Sequence, residues 1–261
     1  MTKLVYSKDK EYHIHLKEGD VGKYVILPGD PGRCGKIAEY LDDARFVAQN
    51  REYTSYTGYL MGEKVSVVST GIGGPSAAIA LEELVHIGAD TFLRVGTSGG
   101  MREDVLGGDL VVATAAVRQE GTSREYAPIE YPAAGDFTCI NALYNAAQSL
   151  GYRVHAGVVQ SKDSFYGEHS PETMPVEGKL IYNWNAWLRC GALTSEMETA
   201  ALYTVGAVRR VRVGAVLMVM GNQTRREMGY DDIIHYDTDS AIKTAVEAMK
   251  LLIAKDKENE L

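Results

Sequence analysis

The chain has 261 residues, 45% of them hydrophobic, and a formal net charge of −8 at pH 7. That length supports one large core without a second domain, and the acidic balance, with no basic stretch beyond RRVR at 209–212, argues against nucleic acid as a partner. No run of about 18 apolar residues suggests a membrane span, and the opening MTKLVYSKDKEYHIHLKEGD has no apolar signal core, so a cytoplasmic protein is expected.

Short β-rich runs alternate with helical patterns from end to end, which predicts a single α/β domain over 1–261. KYVILPGD reads as a buried strand entering a Pro/Gly turn, and PGRCGKIAEYL starts the following helix. YTSYTGYLMGEKVSVVST reads as a hairpin turning at Gly62–Glu63. PSAAIALEELVHIG is a helix opened by Pro75 and closed by Gly88. DTFLRVGTSGG reads as a strand followed by a glycine loop, and GDLVVATAAV as another strand. DFTCINALYNAAQSLG predicts a helix with Phe137, Ile140, Tyr144 and Ala147 on its core face. VHAGVVQS and AVLMVMGNQT are further strands, and a last helix carries Ile242, Val246, Met249 and Ile253 before the solvated tail KDKENEL. Cys34, Cys139 and Cys190 lack metal or disulfide spacing and are expected to be buried small hydrophobes.

Three strand ends run into glycine-rich turns: LPGDPGR (27–33), STGIGGPS (69–76) and RVGTSGG (94–100). None matches a Walker or dinucleotide loop, and any one of them alone is an ordinary turn into a helix. Together they suggest an anion site. Glycine lets backbone approach a ligand, and a helix start presents unpaired N–H groups. Arg33 and Arg94 add forks that suit a phosphate, and Thr97 and Ser98 add hydroxyls. Downstream, TSEMETAAL sets Glu196 and Glu198 on either side of Met197. Acids at a helix start are common, but beside a phosphate site they also suit sugar hydroxyls, with the methionine covering the sugar's apolar face.

SKDSFYGEHS (161–170) places Phe165 and Tyr166 between Lys162 and His169. A solvated lysine and an idle loop histidine are the ordinary outcome; a wall and donors for a flat polar ring are the alternative.

PGDPGR, STGIGGPS, RVGTSG, DSFY and SEMET, in this order and spacing, resemble the hexameric type of nucleoside phosphorylase over nearly the whole chain. REYAPIEYPAAGDF and the acid-free MGNQT are most similar to the uridine-specific branch. The resemblance implies a mixed twisted sheet flanked by helices and the phosphorolysis of uridine, with 2′-deoxyuridine as a second substrate. It further implies phosphate as co-substrate, no cofactor or metal, and a homohexamer built from dimers that share active sites. Gly29, Arg33, Arg94 and Thr97 match phosphate-binding positions. Arg51 matches an arginine lent to the neighbouring subunit's phosphate, and His13 (with His15 as the register alternative) a histidine lent to its ribose. Glu196, Met197 and Glu198 match ribose-binding positions, and Ser98 and Phe165 lie near sugar and base. Glu52, Ile72 and Ser76 match positions that hold a monovalent cation in some relatives.

One departure stands out. Relatives of that branch follow FY with a Gln-x-Arg triplet that grips uracil, whereas this chain reads FYGEHSPETM, and Gln223 replaces a supporting arginine. The residues left to rebuild a base grip are Lys162 and His169 as donors to the departing base, Glu168 as an acceptor from N3–H, and Gln223. Arg94, Lys162 and His169 are the expected catalytic groups. A purine nucleoside phosphorylase would need an acid after the late strand, where Asn222 stands. A hydrolytic nucleosidase would have no need of Arg33, Arg51 and Arg94 together, and a non-catalytic nucleoside-binding relative is the reading from a different class.

Overall fold

The computed structural model describes residues 9–259. The first half runs β1 (Tyr24–Pro28), α1 (Gly32–Ala38), β2 (Asp42–Asn50), β3 (Tyr53–Leu60), β4 (Glu63–Val68), α2 (Gly74–His86), β5 (Thr91–Gly100) and β6 (Leu110–Gln119). It continues through α3 (Thr122–Tyr126), β7 (Ala133–Ala134), α4 (Phe137–Ser149), β8 (Val154–Lys162) and α5 (Phe165–His169). The last part is α6 (Glu177–Arg189), β9 (Thr194–Glu196), α7 (Thr199–Arg209), β10 (Arg212–Asn222), α8 (Gln223–Glu227) and α9 (Asp239–Asn259).

The strands form one mixed sheet in the order β10-β6-β8-β9-β5-β1-β4-β3-β2, and β10 also pairs with β5. That extra pairing closes β5, β9, β8, β6 and β10 into a ring, leaving β1, β4, β3 and β2 as an extension. β1, β4, β5 and β10 run parallel, so their carboxyl ends open on one side. In open α/β sheets that side collects ligands. The strand that reads as ending at a glycine loop instead stays in the sheet to Gly100, because β10 and β9 both pair with its glycine-rich end. The hairpin turn lies one residue earlier than the sequence suggests: Met61 and Gly62 have φ of 53° and 81°, the left-handed pair that fits the strand twist.

Helices cover both faces. α9 buries Ile242, Val246, Met249 and Ile253 as its periodicity requires. α4 differs from expectation. Phe137 is 77% exposed, and the buried stripe is Cys139, Ala142, Leu143, Ala146 and Ala147. Small side chains there let the helix lie close on β10, and size rather than hydrophobicity selects the face. Cys34 and Cys139 are buried, whereas Cys190 is exposed at the end of α6. Among the described residues no helix is long and apolar enough to cross a membrane.

The end of the sheet away from the site is cross-braced by α9. Asp256 accepts from Arg212 through both oxygens, at 2.9 and 2.5 Å, and from the Tyr24 hydroxyl at 2.8 Å. The Arg212 bonds hold the Asp256 carboxyl below its ordinary range. A depressed folded-state pKa adds stability above the unfolded value, which is lost as pH falls through the folded one. Asp256→Asn is expected to cost about 1–2 kcal/mol at pH 7, measured by urea unfolding, with the deficit closing below about pH 4. A deficit unchanged at low pH would assign the loss to packing instead.

Candidate active site

At the carboxyl ends of β1, β5, β9 and β10 lies a cavity of about 820 Å³. Its lining includes Gly29, Arg33, Arg94, Thr97 and Ser98 at one end, Glu196, Met197 and Glu198 beside them, and Lys162, Phe165, His169 and Arg226 further along. Sequence segments far apart are therefore brought to one place.

The centre of the arrangement is Arg94, only 3% exposed. Its side chain turns back across Gly96, where an added Cβ would stand 2.9 Å from Nη2, so only glycine leaves the guanidinium room. Nη2 donates to Glu198 Oε2 and lies 3.3 Å from Glu196 Oε2. Nε and Nη1 are buried with no hydrogen-bond partner among the described residues, and Nη1 lies beside the Gly29 turn, 3.9 Å from where a glycine Cβ would be. Buried N–H groups are rarely left unpaired, so Nη1 is suited to an anion. Arg33 lines the same end, and burial lowers its affinity for its proton without bringing it near neutrality.

The carboxylates are held by the start of α7. Glu196 Oε2 accepts the Glu198 backbone N–H at 2.9 Å and the Thr199 N–H at 3.0 Å, and Ser161 donates to Oε1. Glu198 Oε1 accepts the N–H of Gly73 at 2.5 Å, a glycine whose φ of 90° turns that N–H to the carboxylate. Burial raises the Glu198 pKa, Arg94 opposes the rise, and Glu196 adds to it. One cation thus sustains two buried acids.

Lys162 does not stand free. Its Nζ donates to Glu168 Oε1 at 2.7 Å and Ser195 Oγ at 2.5 Å, and lies 6.0 Å from the Phe165 ring centroid. Glu168 and Gln223 line an adjoining cavity of about 700 Å³ on the far side of this pair, so the structure does not bring them to the lining of the larger cavity. His169 packs its ring 4.3 Å from that of Phe165. Burial holds its pKa below the ordinary histidine value, and Lys162 adds to the effect.

His13 and Arg51 are absent from the cavity lining. Their segments lie side by side: Asn50 donates to the His13 carbonyl at 2.8 Å, and the Arg51 guanidinium lies 5.8 Å from the Tyr12 ring. His13 Nδ1 is 2.6 Å from Glu83 Oε1, which leaves Nε2 outward. His15 has a left-handed backbone, φ 54°. Ser76 donates to Glu52 Oε1 at 2.7 Å and Ile72 is 78% exposed; no group of three His, Cys, Asp or Glu side chains suited to a metal is found among the described residues.

A model of the phosphorylase superfamily matches residues 23–254. The chain belongs to that superfamily. Uridine phosphorylase of Treponema pallidum (strain Nichols) is 60% identical over 254 residues, spanning 97% of this chain and 98% of that protein. Uridine phosphorylase of Thermococcus kodakarensis is 46% identical over 252 residues, 96% and 89% of the two chains. Guanosine phosphorylase of Halorubrum lacusprofundi is 41% identical over 213 residues, 82% and 84%. Superfamily members at comparable distance thus carry names with different bases, and the base end of this site has to be read from its own residues.

Sequence reasoning missed several groups there. Arg226, Ile234 and Tyr236 line the cavity because the segment after β10 folds back over it. Only the doubled arginine after QT hinted at this; Tyr236 carried no local signal.

The single-cation arrangement has a measurable consequence. Arg94→Met is expected to cost about 3–5 kcal/mol at pH 8, because it strands buried carboxylates. Arg94 opposes the rise of the Glu198 pKa, so without it the folded variant binds that proton more tightly still than the parent does, and gains more stability as pH falls. The deficit should therefore shrink as pH falls towards 5. Urea unfolding of both proteins across pH 5–8 tests this, and a constant deficit would remove the charge coupling.

Proposed function

We propose that this chain catalyses the reversible phosphorolysis of uridine and 2′-deoxyuridine to uracil and (deoxy)ribose 1-phosphate, a step of pyrimidine salvage in the cytoplasm. The observation that carries the reading is the division of Arg94: Nη2 bonded to an acid, and Nη1 buried beside the Gly29 turn with no partner among the described residues. A phosphate dianion fits at Nη1, with Arg33 and Thr97 lining the same cavity. Glu198 and Glu196 face the space next to it, where ribose hydroxyls can donate to them and Met197 can cover the ring.

Phosphorolysis develops positive charge on the sugar and negative charge on the departing base. A site that favours this transition state places an anion on one face of C1′ and donors around the base. The phosphate is itself the nucleophile, so Arg94 and Arg33 orient it and bring it close to the carbon it attacks. Phe165, 52% exposed in the isolated chain, is the wall for a pyrimidine ring. Ser98 lies between sugar and base.

The assembly we propose is a hexamer built from three dimers, with His13 and Arg51 lent to the neighbouring subunit. Their joint placement away from their own cavity supports this, as do the exposed Ile72, Phe165 and Tyr236 at its mouth, since clustered exposed apolar groups mark contact surfaces. A cation at Glu52, Ile72 and Ser76 between subunits belongs to the same proposal. A purine reading fits less well. Asn222 is fully buried and spends its amide on the Arg102 and Val105 carbonyls, so no acid stands there to protonate a purine.

Incubation with uridine, thymidine, inosine and adenosine, each with and without phosphate, tests the reading; uracil release that requires phosphate is expected. Release without phosphate would make the protein a hydrolase, and no release a binder. Arg33→Ala should raise the phosphate KM about tenfold or more with a smaller effect on uridine KM. Arg51→Ala and Glu198→Gln subunits, each nearly inactive alone, should regain activity when co-expressed, because a mixed pair contains one intact site. Failure to complement would place Arg51 outside catalysis.

A further inference from the structure

From the adjoining cavity a sequence of hydrogen bonds runs to His169 at the base end of the larger one. Gln223 Nε2 donates to Glu227 Oε1 at 2.8 Å. A carboxylate only accepts, so the amide nitrogen must face Glu227 and the amide oxygen must face the other way. That oxygen lies 3.1 Å from His169 Nδ1. A carbonyl oxygen also only accepts, so Nδ1 carries the hydrogen. With the imidazole kept neutral by burial and by Lys162, Nε2 is left as a bare acceptor. This reverses the donor role that the loop sequence suggests for His169.

The complementary donor is Arg226. Its Nη1 donates to Asp232 Oδ2 at 2.5 Å, and the Asp232 side chain is only 3% exposed and also accepts the Asn222 N–H at 2.8 Å. The guanidinium is thereby anchored near Gly221, with Nη1 3.2 Å from where a Cβ would stand. That Asp232 contact is its one hydrogen bond among the described residues, which leaves Nε and Nη2 to a ligand in the cavity it lines. Lys162, the other cation at this end, is already bonded to Glu168.

We propose that His169 and Arg226 read the base in place of the missing Gln-x-Arg: His169 Nε2 accepts the N3–H of uracil while Arg226 donates to the adjacent carbonyl oxygen. The proposal rests on the assignment of this cavity to a nucleoside. Gln223 and Glu227 act as positioning residues that set the histidine tautomer. The edge recognised is a carbonyl beside a ring N–H, which uracil, thymine and 6-oxopurines present. Cytosine and adenine present an amino group beside a bare nitrogen, so they would set donor against donor and lone pair against lone pair. As the bond to the sugar breaks, the carbonyl oxygen gains charge and the Arg226 contact strengthens.

The test is kcat/KM at saturating phosphate for uridine, cytidine and N3-methyluridine. The parent protein should prefer uridine over N3-methyluridine by about 100-fold or more, since a polar group built to pair is then left unpaired. His169→Ala should collapse that ratio towards one, and His169→Gln, which keeps an acceptor, should restore most of it. Gln223→Leu should lower the ratio about tenfold with the melting temperature unchanged. A merely structural role would depress both substrates equally. Arg226→Ala should cut kcat for uridine about 100-fold, and Arg226→Lys less. A ratio unchanged in His169→Ala, or normal turnover in Arg226→Ala, overturns the proposal. If the parent protein releases no uracil in the presence of phosphate, the nucleoside reading fails instead, and the two failures are told apart.

Discussion

One buried guanidinium organises this molecule's chemistry. Arg94 neutralises two acids that the start of α7 would otherwise hold in a dry environment, and it keeps an open edge for an anion. Each party needs the others. Without the arginine the acids lose their counter-charge, and without the acids the arginine is an unpaired buried cation. On the proposed reading, phosphate is the further partner of the same guanidinium.

The rest of the fold holds that guanidinium still. β5 carries it and is paired on both sides, by β1 and by β10, with β9 joining at the glycine end. Closure of the ring through β10 fixes the distance between the strand that supplies Arg94 and the element that supplies Glu198. α9 braces the opposite end through Asp256. Positions set by strands and by a helix start vary little, which is what a reaction dependent on alignment requires.

That Gly29, Arg33, Arg94, Thr97 and residues of SEMET converge on one cavity was legible in the sequence because backbone geometry demands particular residues there. Glycines at 71 and 96 mark places where a side chain cannot fit, Gly73 has a left-handed backbone with φ 90°, and SEMET marks a strand-to-helix junction. The partners were not legible. Arg94 and Glu198 are 104 positions apart, and no local pattern says that one arginine serves two acids. Glu168 was an obvious acceptor by type, yet its oxygen is taken by Lys162, six positions back. The α4 face was misplaced because hydrophobic size is a poor guide where a helix must sit close: small Cys139 and Ala142 go in and Phe137 stays out. Arg226 escaped notice because the loop after α8 folds back, and that return depends on Asp232 capturing both Asn222 and the arginine.

The two ends of the cavity are built from different material. The Arg94 end is built from the turn after β1, α1, β5, β9 and the start of α7, with Arg94, Glu196 and Glu198 deeply buried. The Phe165 end comes from α5 and α8, five-residue helices of which only Gly167 is buried. Substitutions on such exposed turns rarely change stability by more than about 0.5 kcal/mol, whereas those around Arg94 disturb a packed interior. Substitution at the Phe165 end therefore costs the fold less than substitution around Arg94. Divergence in this fold has an inexpensive direction, along α5 and α8, and relatives that differ in the base they are named for are what such an uneven landscape produces.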